Sequence, residues 1–271
     1  MTWQHPLLSS SPSFFTLDLS TLLNPSIINR YRSLGERLFT SRIYHLMNSA
    51  ILSPVNNLRN ITIVVAAIRS GALRLSPEQQ RDIVYARSCA ENELISASID
   101  YASSPTYSAS AASIYVRQLL VQATRLALLI YSAVFLNQDY PGARPLIAPT
   151  GMRALTRRLL KIVHMCRSNK HAEVSAAAAF EMEPLFWICT QGAVSDEVEQ
   201  RQGFLEVLKD LRWDLGVANV LHASVVLEKY LFVEAMHGEY LRDVWMEVQE
   251  GEVIRLGGET STVVRDQEEE D

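Results

Sequence analysis

Glu234, Ala235, Met236 and His237 form a Glu-x-x-His motif near the end of the chain. On a helix this spacing sets a carboxylate and an imidazole on one face, as in bundles that hold carboxylate-bridged metal pairs. Such a centre needs a second copy of the motif and two further Glu residues. His5, His45, His164, His171 and His222 have no Glu three residues before them. Gly238 follows His237 directly, and an imidazole in a last turn followed by Gly is a common way for a helix to stop. The expectation is a helix that ends at His237. A new helix then carries Tyr240, Leu241, Val244, Trp245 and Val248 on its packed face. Trp245 should matter to stability and His237 should not.

The other reactive residue types are weaker candidates. His164, Cys166 and His171 lie close together, but His-x-Cys-x4-His is not a usual zinc spacing and no fourth ligand is near. Cys166 also falls on an apolar helical stripe. Glu181 and Glu183 are two apart, and on a helix residues two apart do not face each other. They are expected as solvent-facing carboxylates at the mouth of a helix, not as an acid–base pair. Arg153, Arg157, Arg158 and Lys161 line a polar helix face, suited to solvent or to an acidic partner surface. No aromatic residues interleave with them, as single-stranded nucleic acid would require. G-x-S-x-G, a phosphate-cradling Gly-rich loop and an Asp-rich helical motif of the terpene-cyclase kind are absent from the sequence. The expectation is no catalytic residue, no metal ligand, no cofactor and no DNA-contacting residue. The alternative is a helical enzyme of unknown chemistry with a buried pocket.

The elements that would position these residues read as helices almost throughout. Ser76-Pro77-Glu78-Gln79 has a cap residue, Pro at the first helical position and Gln at the third. Behind it Ile83, Ala86, Ala90, Leu94, Ala97 and Tyr101 make one face. Residues 103–110 are a loop by composition. The next helix, about Ile114 to Gln138, is apolar nearly all round and should be central and buried, with Asp139, Pro141 and Gly142 ending it. Leu155, Leu159, Ile162 and Cys166 make another stripe. Phe204, Leu208, Leu211 and Leu215 make a further one, stopped by Gly216. Only Glu252 to Val264 could be extended. These signals predict an all-α, single irregular multi-helix domain of roughly eight to ten helices. Its expected parts are a flexible segment at 1–25, a helical domain at 26–250 and an acidic tail at 251–271.

Composition narrows the partners. The chain has 271 residues, 48% hydrophobic, with a net charge of −5, so neither nucleic acid nor an anionic membrane is attracted by overall charge. Cys89, Cys166 and Cys189 are scattered and odd in number, which fits a reducing compartment better than a disulfide framework. The first Arg is Arg30, so no basic region precedes the N-terminal apolar residues and no secretory signal is expected. The longest apolar run, Leu126 to Leu136, falls short of the ~20 residues a bilayer needs, and no membrane association is expected.

One stretch carries a family resemblance. EPLFWICTQGAVSDEVEQRQGFLEVLKDL, Glu183 to Leu211, runs from Pro184-Leu185-Phe186 through Gly192-Ala193 to Asp196-Glu197 and Arg201. It resembles a landmark of the fungal-specific transcription factor domain, the regulatory region of zinc binuclear cluster transcription factors; Glu183 stands where that family commonly has Trp. The apolar run with Leu128 and Tyr131 resembles the family's buried helix. Leu241 to Val248 resembles its terminal Trp-bearing helix. The three blocks cover about residues 120–248, whereas residues 25–119 match only in being helical. The resemblance implies a nuclear regulatory domain that binds a protein partner, as a homo- or heterodimer or otherwise, or a small apolar effector. It also implies a preceding six-cysteine zinc cluster, which this sequence lacks. The chain is therefore expected to be the regulatory region without its DNA reader, as a truncated gene model or a stand-alone paralogue, with no sequence-specific DNA binding of its own.

Overall fold

Helix α4, Pro77–Ser96, starts where its cap signal places it. The Ser76 hydroxyl accepts from the Gln79 N–H at 3.2 Å, and the Gln79 side chain accepts from the Ser76 N–H at 2.8 Å. Both bonds of the capping box are thus made, and Ile83, Ala86, Ala90, Leu94 and Ala97 are buried behind it. The computed structural model describes residues 17–40, 47, 49–97, 111–136, 147–170 and 179–262, with the backbone alone at 49–50, 111–114, 169–170, 179–181 and 251–262. Tyr101, the 103–110 loop and the Asp139–Gly142 stop lie outside the described residues.

The described residues form ten α-helices, one short 3-10 turn and no strand. Besides α4 these are α1 Pro25–Arg30, α2 Glu36–Thr40, α3 Ser49–Arg69, α5 Ala111–Phe135, α6 Pro149–Lys170, α7 Ala179–Gly192, α8 Val198–Asp214, α9 Val220–Leu227 and α10 Glu234–Thr262. The all-α expectation holds. The centre, however, is shared by two helices. Helix α5 is buried as its composition predicts, and α3 is equally enclosed, with Val55, Leu58, Ile61, Ile63, Val64 and Val65 fully buried. The Thr62 and Tyr131 hydroxyls, 2.8 Å apart, join the two. Helix α4 packs on α3, α6 and α7 pack on α5, and α8 and α10 close the assembly.

Two boundaries differ from the sequence reading. Of the segment expected to be flexible, 17–25 is anchored: Leu17, Leu19 and Leu23 are buried. Asn57 accepts from the Leu17 N–H and Asn60 donates to its carbonyl, at 3.2 and 2.9 Å. Two buried amides on α3 thereby satisfy an extended backbone that would otherwise be orphaned. The stretch from Glu252, expected as extended, continues α10 as far as Thr262. The apolar run that starts at Leu126 lies in α5, close to the helix expected from about Ile114 to Gln138. Ile51–Arg69 and Tyr115–Phe135 are each long and apolar enough to cross a membrane, but 72% of each is buried against other helices here.

Candidate functional site

Gly238 does not stop a helix. Glu234 opens α10 and the helix runs through Gly238 without a break. The described positive-φ glycines are Gly35, Gly71 and Gly216, so the left-handed turn that ends a helix is made at Gly216 and not here. At Gly216 the Val217 N–H reaches back to the Arg212 carbonyl at 2.8 Å and closes α8. His237 is therefore in the first turns of α10, and it is 2% exposed. Its Nδ1 accepts from the Val233 N–H at 2.9 Å, satisfying one of the four free N–H groups at a helix start. That bond places the neutral ring's proton on Nε2, which has no hydrogen-bond partner among the described residues.

The imidazole sits in an aromatic nest. Phe135 meets it edge to face at 4.7 Å between ring centres, and Phe232 and Tyr131 lie at 5.3 and 5.5 Å. Burial pushes its pKa down from 6.5 to about 3, and the Arg69 charge acts in the same sense. Glu234 faces elsewhere. It accepts from Ser224 at 2.9 Å and from Arg242 at 3.1 Å. The i,i+3 pair is split between the core and the surface, so it does not converge on a metal. The expectation that His237 ends a helix is overturned. The expectation for the following face holds, since Leu241, Val244, Trp245 and Val248 are all buried.

The second cluster is divided in the same way. His164 is exposed on α6 while Cys166 is buried, and His171 lies outside the described residues. Cys166 faces Cys189 of α7, whose thiol burial pushes up, with Cys166 adding to the shift; such a thiol is not a nucleophile. Among the described residues no three His, Cys, Asp or Glu side chains are grouped as metal ligands would be. Glu183 pairs with Lys229 at 3.3 Å and Arg37 at 3.7 Å. The Glu181 side chain lies outside what is described.

Two polar features escaped the sequence reading. Arg87 and Glu91, each 2% exposed by side chain, form a buried pair 3.5 Å apart. Glu91 also accepts from Ser132 at 2.6 Å, and Arg87 donates to the Leu136 carbonyl at 3.1 Å. Burial raises the Glu91 pKa. Both residues sit one position beside Ala86 and Ala90 of the α4 apolar stripe. The other feature is Arg201. It donates to the Ala193 carbonyl and holds Glu247 through a bidentate contact, tying the end of α7, the start of α8 and the middle of α10 together. Nearby, Gly192 lies against the Phe204 ring so closely that a Cβ would collide with it. Tyr240 donates to the Thr190 carbonyl at 2.6 Å.

The cationic face of α6 has a surface form suited to binding. Arg157, Leu160, Lys161, His164, Met165 and Ser168 line an open groove of 480 Å³. Leu160 and Met165 are half-buried at its base, and Arg157, Lys161 and His164 stand exposed around them. Arg153 is engaged with Glu197 at 3.0 Å, and Arg167 with Asp210. The arrangement offers cation–anion contact and apolar burial. No protein-family model, curated protein or solved structure matches the chain.

Proposed function

We propose that this chain is a regulatory helical domain of the kind it resembles, acting in the nucleus by binding a protein or a small apolar effector and not by catalysis. One observation carries the reading: the three stretches behind the resemblance pack into a single unit. The buried helix α5 meets α10 through Phe135 and Tyr240, whose ring centres are 5.3 Å apart. The landmark stretch in α7 and α8 meets α10 through Arg201–Glu247 and through Tyr240–Thr190. The Gly-Ala step has a physical role in that unit, because Gly192 admits Phe204.

The test is a tethering experiment. The full chain is fused to an unrelated DNA-binding domain and expressed in a fungal nucleus with a matching reporter. The expected result is a several-fold change in reporter output, up or down. A Trp187→Ala fusion, which removes a fully buried ring stacked on Tyr230 at 5.8 Å, should lose the effect. Output equal to that of the DNA-binding domain alone, with intact fusion protein present in the nucleus, refutes the proposal.

A further inference from the structure

Helix α6 carries more basic residues than any other described helix. Its 22 residues, PTGMRALTRRLLKIVHMCRSNK, include Arg153, Arg157, Arg158, Lys161, Arg167 and Lys170 and no Asp or Glu, in a protein whose net charge is −5. A solvated helix face usually mixes both signs, because i,i+4 pairs of opposite charge stabilise it and like charges repel. Here the ends are neutralised across to α8, by Arg153 with Glu197 and Arg167 with Asp210. Between them Arg157 and Lys161, four residues apart and so stacked on one face, have no carboxylate partner among the described residues. They flank the half-buried Leu160 and Met165 of the 480 Å³ groove. The base of the groove is held by close helix approach, since a Cβ on Gly203 of α8 would come within 2.7 Å of Leu160.

We infer that this groove is a docking site for an acidic amphipathic segment of a partner protein. The partner presents two carboxylates one helical turn apart to Arg157 and Lys161, and an aliphatic side chain between them to Leu160 and Met165. Charge selects the class: the site is a local cationic strip on an acidic molecule, so it attracts anionic segments that the remaining surface repels. The apolar base selects peptide over nucleic acid. A phosphate backbone makes no use of Leu160 and Met165, and duplex binding draws on many more cations than the two here. The inference deepens the interaction reading above and rests on it for the partner being a protein.

The test uses the purified full chain and a labelled helical peptide with Glu at two positions four apart and Leu between them. Fluorescence anisotropy at 150 mM salt should give saturable binding. Arg157→Glu with Lys161→Glu should weaken it at least tenfold while the far-UV spectrum and melting temperature stay unchanged, because both side chains are exposed. The same double variant should bind a peptide in which Lys replaces each Glu. Replacing the peptide's Leu by Ser should weaken binding several-fold. Equal binding to wild type and double variant overturns the proposal, as does tighter binding of duplex DNA than of the peptide, or no saturable peptide binding at all. The assay reads the groove without a reporter, and the tethering experiment reads output without the peptide, so either reading can fail alone.

Discussion

The burial of His237 should appear as a slope in stability against pH. An unfolded imidazole titrates near 6.5, whereas in the fold it is pushed down to about 3. Between those values the unfolded chain binds a proton that the folded chain refuses, so stability falls as pH falls. The contribution is complete above 6.5, declines through the window and levels off below about 3. Integrating the two titrations from pH 7 to pH 5 gives a loss of about 2 kcal/mol, or roughly 4–8 °C in melting temperature for a domain of this size. The groups facing the ring are Arg69 from α3, Tyr131 and Phe135 from α5 and Phe232 before α10, and none is a carboxylate that would rescue the charged form. Glu91 acts in the opposite sense, because a carboxyl with a raised pKa favours the fold as pH drops. Subtraction removes it. In His237→Asn the amide oxygen keeps an acceptor near the Val233 N–H and cannot titrate. The variant should be less stable at pH 7, because it leaves a cavity among the rings. Its urea-unfolding free energy should lose about 2 kcal/mol less than wild type on going from pH 7 to pH 5, followed by tryptophan fluorescence. Parallel pH profiles for the two proteins would refute the buried neutral imidazole.

Further outcomes follow from the same packing. Trp245→Ala, at a position 5% exposed, should cost about 3–5 kcal/mol in thermal or urea unfolding, and a loss under about 1 kcal/mol would contradict its place in the core. Gly192→Ala should destabilise by about 1–3 kcal/mol, because the new methyl meets the fully buried Phe204 ring, which has nowhere to move. Gly238→Ala gains up to about 1 kcal/mol of helix propensity but pushes the Glu234 carboxylate away from Ser224 and Arg242, so the two effects should offset and its melting temperature should stay close to wild type. In gel shifts at physiological salt the chain should bind duplex DNA no better than weakly and without sequence preference; sub-micromolar selective binding would overturn the reading of a chain without a DNA reader.

Periodicity and capping chemistry decided the helices. The Ser76–Gln79 cap, the α4, α6 and α8 stripes and the Gly216 stop are local signals, each read from residues within a few turns of one another, and each stands where it was expected. The buried face of α10 was legible for the same reason. Distant contacts decided the rest. Whether a Gly after His ends a helix depends on what surrounds the His, and His237 is enclosed by rings from α5 and from the segment before α10. No local pattern reports that, so an imidazole that reads as a surface helix end is a core residue. Arg87 and Glu91 drew no reading from the sequence, and they become a buried pair only because Ser132 and the Leu136 carbonyl come from α5 and its end to meet them. The α6 face is the mixed case. Its charges are plain in the sequence, but which of them remain without a carboxylate was settled by where α8 places Glu197 and Asp210. Composition told that α5 would be buried and that α6 would carry a charged face; only the packing of the helices against one another brought out the equal burial of α3 and which polar groups were left with work to do, because burial and charge pairing are properties of neighbours far apart in the chain.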